Sequence, residues 1–174
     1  KSLEINPDNP TALMNLGGIY QDLGNLDQAL TYTFQSLELK PDNPTALMNL
    51  GSIYQDLGNL DQALTSTLKS LELDADNHTA LMNLGGIYKD LGNLDQALAY
   101  TLQSLKLKPG NTAALLNLLN VYANDDSSKL KEFAYKAVDE NKELLNDLSY
   151  IEAISSLGEK FTKDIISAKT LIDQ

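Results

Sequence analysis

The chain has 174 residues, and its 43% hydrophobic content is enough for a packed core and too high for an intrinsically disordered chain. The net charge of −11 disfavours nucleic acid and anionic membrane surfaces as partners, because both attract clustered Lys and Arg, and it leaves neutral or basic protein partners open. The absence of cysteine excludes a disulfide framework and thiolate chemistry, and no apolar run is long enough to predict a transmembrane helix.

The first nine residues, KSLEINPDN, read as the end of a helix followed by a turn. They contain no initiator Met, so we expect the chain to be a fragment of a longer protein, with residues 1–9 as the tail of a preceding repeat. No signal peptide is present, and together with the lack of cysteine this favours a cytoplasmic location.

From Pro10 onward the sequence repeats with a period of 34 residues. We set the repeats at residues 10–43, 44–77 and 78–111, and the first two differ at only six positions. The segment NLGGIYQDLGNLDQAL begins at Asn15 and returns almost unchanged at Asn49 and Asn83. Repetition at a fixed period predicts stacked structural units, each of which covers an apolar face of the next.

Each repeat is predicted to form two helices, and the first of them has a clear start and stop. Asn9 is a good N-cap, and Pro10 occupies the first helical turn, where proline is accepted. The helix is expected to run to about Leu23. Gly24 then acts as the stop, because glycine adopts the left-handed conformation freely.

The second helix of the repeat is marked by its own cap. Asn25 and Gln28 have the spacing of a capping box. The helix is expected to run to about Lys40 and to end before Pro41.

Apolar residues recur at helical spacing in both helices and predict the packed faces of the repeat. In the first helix these residues are Leu13, Leu16, Gly17, Tyr20 and Leu23. In the second they are Leu26, Ala29, Leu30, Thr33 and Leu37. Gly17 and its counterparts Gly51 and Gly85 lie on the packed face, where we expect the missing side chain to allow close helix approach.

The chain resembles the tetratricopeptide repeat family through residues 1 to about 124. The resemblance is carried by Leu16, Gly17, Tyr20, Gly24, Ala29 and Pro41 at their mutual spacings and by the 34-residue period. It implies an all-α, right-handed α-solenoid, a superhelix of helix-turn-helix units, with a concave groove lined by the first helices. The chain departs from the family in having Leu13 where Trp is frequent and hydroxyl residues at Thr33 and Ser36. We expect these hydroxyls to bond to carbonyls of the preceding turn.

The repeat decays after Tyr122. We interpret residues 112–141 as a degenerate fourth repeat and residues 142–174 as C-terminal capping helices or a degenerate fifth repeat. A solenoid needs a terminal unit that covers its last apolar face. The alternative is that this segment leads into a separate domain.

Four asparagines recur on the first helices beside the packed stripe, and stacking would align them in a row along the groove: Asn15, Asn49, Asn83 and Asn117. A primary amide both donates and accepts hydrogen bonds, so such a row could hold the backbone of an extended peptide. The arrangement resembles the asparagine ladder in the superhelix of O-linked N-acetylglucosamine transferase. The alternative is a solvated consensus residue with no ligand.

The same face carries the other candidate groove residues, which are Met14, Met48, Met82, Gln21, Gln55, Asp22, Asp56, Asp90 and Lys89. The methionines could supply adaptable apolar contacts or could pack between adjacent helices. The aspartates would form a second row at the groove edge or could merely be solvated. Lys89 is the only basic residue on the stripe, so an acidic peptide tail is disfavoured and a neutral or basic segment is favoured. Gly18 and Gly86 would leave the groove floor open, or they reflect only indifference to local packing.

No catalytic, metal or cofactor site is predicted. His78 is the single histidine, and there is no cysteine to accompany it as a metal ligand. No glycine-rich phosphate loop follows a predicted strand.

These patterns favour a non-catalytic protein-protein interaction scaffold that binds a peptide or partner segment in the concave groove. Two alternatives stay open at this point. One is a targeting region of a larger enzyme, such as a transferase, whose catalytic domain lies elsewhere. The other is a module that self-associates head to tail, which would extend the superhelix.

Overall fold

The computed structural model describes residues 9–108 and 111–124, and within these ranges the chain forms helices and no β-strand. The seven described helices, in chain order, are α1 (Pro10–Asp22), α2 (Leu26–Leu39), α3 (Pro44–Asp56), α4 (Leu60–Leu73), α5 (His78–Asp90), α6 (Leu94–Leu107) and α7 (Thr112–Asn124). The predicted all-α solenoid of helix pairs is therefore confirmed. The helix tail in residues 1–8, the second helix of the fourth repeat and the C-terminal cap lie outside the described residues. None of the described helices is long and apolar enough to cross a membrane.

The first helix of each repeat starts as predicted. The side chain of Asn9 accepts a hydrogen bond from the Ala12 amide at 3.1 Å, and Pro10 occupies the first turn, where its missing N–H leaves no donor unpaired. The caps of α3 and α5 repeat this bond at 3.3 and 3.0 Å, from Ala46 to Asn43 and from Ala80 to Asn77.

The turn between the two helices is a Schellman motif. Gly24 has φ of +73°, and its amide donates to the Gln21 carbonyl at 2.8 Å, while the Asn25 amide donates to the Tyr20 carbonyl at 2.9 Å. Gly58 and Gly92 have φ of +74° and +76° at the same place in the next repeats. The predicted glycine stop is confirmed at all three turns.

The predicted capping box at the second helix is only half formed. The Asn25 side chain accepts from the Gln28 amide at 3.3 Å, as predicted. The Gln28 side chain, however, accepts from the Asn25 side-chain amide at 3.3 Å and does not reach the Asn25 backbone N–H. That N–H is already committed to the Tyr20 carbonyl in the Schellman motif. In the middle repeat Asn59 makes no side-chain cap bond at all.

Close approach of the paired helices depends on glycine, as the sequence predicts. A Cβ atom added to Gly17 would collide with Thr33 Oγ1 and would lie 3.2 Å from the Ala29 carbonyl oxygen. Gly51 and Gly85 meet the equivalent threonine and alanine in their own repeats.

The predicted hydrophobic stripe is wrong at its last position. Leu23 is 72% exposed, because it is the C-cap residue and its side chain leaves the helix pair beyond the packed face. Ile53 and Ile87 are fully buried and were missed by the stripe, whereas Ile19, at the same position of the first repeat, is 53% exposed. Ile87 shares a buried cluster with Ala63 of the preceding repeat, and Ile19 has no described repeat before it, so this isoleucine packs at the seam between repeats.

One cluster shows how consecutive repeats are joined. Ala63 of α4 packs with Leu84 and Ile87 of α5, and all three are fully buried. Tyr54 of α3 is partly buried and packs against this cluster.

The hydroxyl residues on the second helices behave differently from the prediction. Ser36 Oγ donates to the Pro10 carbonyl at 2.7 Å, and Ser70 and Ser104 make the equivalent bonds at 2.7 and 2.6 Å. These serines therefore join the second helix to the first turn of its partner and not to their own preceding turn. Thr67 bonds to the Ala63 carbonyl at 2.8 Å as predicted, but the buried hydroxyls of Thr33 and Thr101 have no partner among the described residues.

Candidate peptide-binding groove

The first helices lie on the inner side of the stack. Each first helix contacts the first helix of the next repeat, in the pairs α1–α3, α3–α5 and α5–α7, while direct contact between successive second helices is weaker. Elements on the inside of a curved stack are closer together than those on the outside. The face shared by α1, α3, α5 and α7 is therefore the candidate concave groove.

The four asparagines occupy equivalent places on this face, but they do not share one environment. Asn15 is exposed, and Asn49 and Asn83 are half-buried; none of these three side chains makes a hydrogen bond within the described part of the chain. Asn117 differs, because its amide donates to the Met82 carbonyl at 3.2 Å. The side chain of Asn117 is thus partly used inside the protein, whereas the amides of Asn49 and Asn83 keep their full hydrogen-bonding capacity.

The glutamines of the groove bridge neighbouring repeats. Gln21 Nε2 donates to Asp56 Oδ2 at 2.7 Å, and Gln55 Nε2 donates to Asp90 Oδ2 at 2.7 Å. Gln21 also donates to Ser52 Oγ at 2.8 Å. Each bond joins one first helix to the next, so Gln21 and Gln55 organise the groove wall and are not free side chains awaiting a ligand.

Charge is retained on this wall. A hydrogen bond from a neutral amide leaves the carboxylates of Asp56 and Asp90 negative, and both side chains are exposed. Asp22, in the first repeat, is also exposed. Lys89 replaces the bridging glutamine in the third repeat and lies 3.4 Å from Asp90, the residue next to it. An ion pair this open to solvent contributes little to stability, so Lys89 acts mainly by offsetting local negative charge.

Of the two glycines predicted to open the groove floor, Gly18 does so and Gly86 does not. A Cβ at Gly18 would meet no atom within 4 Å, but one at Gly86 would lie 3.2 Å from Gln55 Nε2 and 3.7 Å from Asn117 Nδ2. The prediction that Gly86 leaves the floor open is therefore wrong, because the amides of Gln55 and Asn117 cover it. Ser52, at the equivalent position of the second repeat, accepts a hydrogen bond from Gln21. The sequence does contain a signal for the role of Ser52, because it is a polar residue that replaces glycine on a face lined by glutamine.

The methionines are partly buried at the seams between repeats. Met14 Sδ lies 3.9 Å from Asn43 Nδ2, the N-cap of the following repeat. Met48 and Met82 have the same intermediate exposure. Each methionine side chain is therefore only partly available to a ligand in the groove.

In the described part of the chain, no group of three or more histidine, aspartate or glutamate side chains is arranged to hold a metal ion. His78 is the first residue of α5, and its Nδ1 lies 3.3 Å from Thr79 Oγ1.

Two sequence profiles of the tetratricopeptide repeat match the chain, one over residues 10–43 and the other over residues 42–110. The chain belongs to the tetratricopeptide repeat family. These matches span all three of the regular repeats. No curated protein sequence matches the chain.

Solved tetratricopeptide structures share the fold. The crystal structure of MamA superposes with a TM-score of 0.71 at 21% identity, over 83% of this chain and 85% of MamA. The O-GlcNAc transferase of Thermobaculum terrenum superposes with a TM-score of 0.70 at 20% identity, over 77% of this chain but only 26% of the enzyme. The first repeat domain of Spaghetti (RPAP3), bound to the HSP90 peptide SRMEEVD, gives a TM-score of 0.62 at 23% identity, over 66% of this chain and 91% of that domain. At these identities the likeness establishes the fold alone.

Proposed function

We propose that this chain is a non-catalytic protein-interaction module that binds an extended peptide segment in its concave groove. The observation that carries the proposal is the pair formed by Asn49 and Asn83. They occupy equivalent positions on adjacent first helices, they are half-buried, and neither amide bonds to another described residue.

The spacing of the pair suits a peptide backbone. Packed helices lie roughly 8–10 Å apart, and three residues of an extended chain span about 10 Å. In the polyproline II form of an extended chain three residues rise about 9.3 Å and complete one turn, so every third residue faces the same side. Each asparagine would therefore meet every third residue, where its amide can donate to the C=O and accept from the N–H of that residue. Recognition of this kind depends on the backbone, so it tolerates many ligand sequences.

The groove charge indicates which ligands are favoured. The exposed carboxylates of Asp22, Asp56 and Asp90 line the wall, and Lys89 is the single basic side chain of that stripe. The peptide bound by RPAP3, SRMEEVD, contains three acidic residues. Such a ligand would face repulsion here, so the preferred segment is neutral or basic.

A peptide array with a matched pair of variants tests the proposal. The double variant Asn49→Ala/Asn83→Ala should lose binding to extended neutral and basic peptides by about tenfold or more, since two amides that each make charge-neutral hydrogen bonds are removed. Gln35→Ala/Gln103→Ala removes two exposed amides from the second helices and should bind as the parent does. Equal binding by all three proteins would contradict the proposal.

One further observation favours self-association as a second candidate. Ile19 is 53% exposed, although Ile53 and Ile87 are fully buried by the repeat that precedes each of them. A second copy could cover this face. Analytical ultracentrifugation should then show a mass that grows with protein concentration and falls in the variant Ile19→Asp, and a constant monomer mass would exclude this candidate.

A further inference from the structure

A row of exposed leucines follows the turns between the two helices of each repeat, outside the groove. Leu23, Leu57 and Leu91 are 72%, 37% and 42% exposed. They are the C-cap residues of α1, α3 and α5, so they occur at one edge of the stack with the repeat spacing. We call these three residues and the turns that carry them the leucine edge.

Adjacent turns of this edge form a shared depression. Leu23, Gly24, Asn25, Leu26 and Asp27 of the first turn line it together with Leu57 of the second turn. Leu23 and Leu57 thus border one surface and are not isolated exposed side chains, and Leu91 occupies the equivalent position of the third repeat. Such a contiguous apolar strip with a polar border is typical of interaction sites.

The border of the strip is strongly acidic. Each turn has the sequence DLGNLD, so the three turns contain six aspartates, and the one lysine next to them is Lys89, which lies 3.4 Å from Asp90. The carboxylates of Asp22, Asp27, Asp61 and Asp95 are exposed and have no ion-pair partner in the described ranges. Asp27, Asp61 and Asp95 are in the first turns of their helices, where the helix dipole stabilises a negative charge.

A second row of leucines gives the contrast. Leu39, Leu73 and Leu107, at the ends of the second helices, are 47%, 43% and 44% exposed. Their sequence neighbours include Lys40, Lys106 and Lys108 as well as acidic residues, so this row has no single charge around it. The second row is also exposed in every repeat but has a different charge border, which makes it a suitable control surface.

We infer that the leucine edge is a second docking surface and that its partner is a basic amphipathic helix. Repeats spaced by roughly 8–10 Å match seven residues of an α-helix, which rise about 10.5 Å. A helix with apolar residues at every seventh position could therefore contact all three leucines in succession. Lysine or arginine beside that stripe would meet the aspartates of each turn, and this charge complementarity selects a basic helix over an acidic one.

The probe for a test is a fluorescein-labelled 21-residue helical peptide with leucine at every seventh position, lysine on both flanks of the leucine stripe and alanine elsewhere. A second peptide carries glutamate in place of every lysine. Fluorescence anisotropy should show binding of the lysine peptide, weakening of that binding with added salt, and no binding of the glutamate peptide.

Three variants locate the site. Leu23→Asn/Leu57→Asn/Leu91→Asn should weaken binding of the lysine peptide by about tenfold or more. The control Leu39→Asn/Leu73→Asn/Leu107→Asn should bind as the parent does, and circular dichroism should show both proteins folded. Asp27→Asn/Asp61→Asn/Asp95→Asn keeps every leucine and should weaken binding severalfold, which provides a test that does not depend on the leucine variant folding.

The result that overturns the inference is absence of binding by the lysine peptide, equal binding by the glutamate peptide, or equal loss in the control leucine variant. The groove variant Asn49→Ala/Asn83→Ala should leave binding of the lysine peptide unchanged. Loss of binding in that variant would assign the peptide to the concave groove and remove the leucine edge as its site.

Discussion

Two adjacent glycines in α1 provide a sharp test of the packing. A methyl group added at Gly17 would collide with Thr33 Oγ1 and would lie 3.2 Å from the Ala29 carbonyl oxygen. A methyl group added at Gly18 would meet no atom within 4 Å. The variants Gly17→Ala and Gly18→Ala are therefore the same chemical change in the same helix, but the added methyl group meets close neighbours at position 17 and open space at position 18.

The expected free energies follow from two terms. Replacing glycine by alanine in a helix interior stabilises a protein by roughly 1 kcal/mol, and overpacking a close contact costs roughly 1–3 kcal/mol. Gly18→Ala should show the first term alone and raise the free energy of unfolding by about 1 kcal/mol. Gly17→Ala carries both terms, and its net effect should be a loss of up to about 2 kcal/mol, because neither the Ala29 carbonyl nor the fully buried Thr33 can move away easily.

Urea unfolding followed by circular dichroism at 222 nm measures both variants. Because the two positions share one repeat, their difference does not depend on location along the solenoid. The variant Gly17→Ala/Thr33→Ala removes the colliding hydroxyl and should recover part of the loss, whereas Gly17→Ala/Thr33→Ser keeps that oxygen and should recover less. Equal stabilisation by Gly17→Ala and Gly18→Ala would refute the close approach of α1 and α2.

Three other predictions concern the core, a buried hydrogen bond and pH. Ile53→Ala should lower the free energy of unfolding by roughly 2–5 kcal/mol because Ile53 is fully buried. Ile19 is 53% exposed, so Ile19→Ala should lower the free energy of unfolding clearly less in the same urea assay. Equal losses would contradict the packing of Ile53 on the preceding repeat. Ser70→Ala removes the 2.7 Å bond to the Pro44 carbonyl and should cost about 1 kcal/mol, and an unchanged urea midpoint would show that this bond adds nothing. Burial, and secondarily the neighbouring Tyr100, raises the pKa of Tyr88 above its ordinary value of 10.0, so the folded state favours the neutral phenol. The resulting stabilisation should be complete below pH 10 and should disappear as pH rises through the raised pKa. A spectrophotometric titration at 295 nm should show one late-titrating tyrosine that is absent in Tyr88→Phe. The raised pKa of Tyr88 would be contradicted if no late-titrating tyrosine is found, or if it persists in the variant.

Local features of the fold could be predicted from the sequence because their causes are local. Asn9 and Pro10 determine where α1 begins, and Gly24 determines where it ends through its positive φ. The 34-residue period then places the same signals in each repeat, and repetition itself predicts stacking.

Features that depend on neighbouring repeats could not be read from one helix at a time. Helical periodicity reports packing within a helix pair. It therefore does not identify Ile53, which faces the preceding repeat, and it includes Leu23, which lies beyond the end of the packed face. The bond between Gln21 and Asp56 joins residues 35 positions apart, and helical periodicity carries no information about it. Helical spacing predicts that the groove residues share one face, but which of them bond to one another depends on the distance between adjacent helices.

The central claim is that Asn49 and Asn83 hold a ligand backbone in the concave groove, and isothermal titration calorimetry tests it most directly. An extended neutral or basic peptide found on the array should bind the parent chain, and an analogue with N-methylated amides at every third residue should bind more weakly, because it lacks the N–H groups that the asparagines accept from. In the variant Asn49→Ala/Asn83→Ala the two peptides should bind with the same reduced affinity. If N-methylation weakens binding equally in the parent and in the variant, the asparagines do not contact the peptide backbone and the account of the groove is wrong.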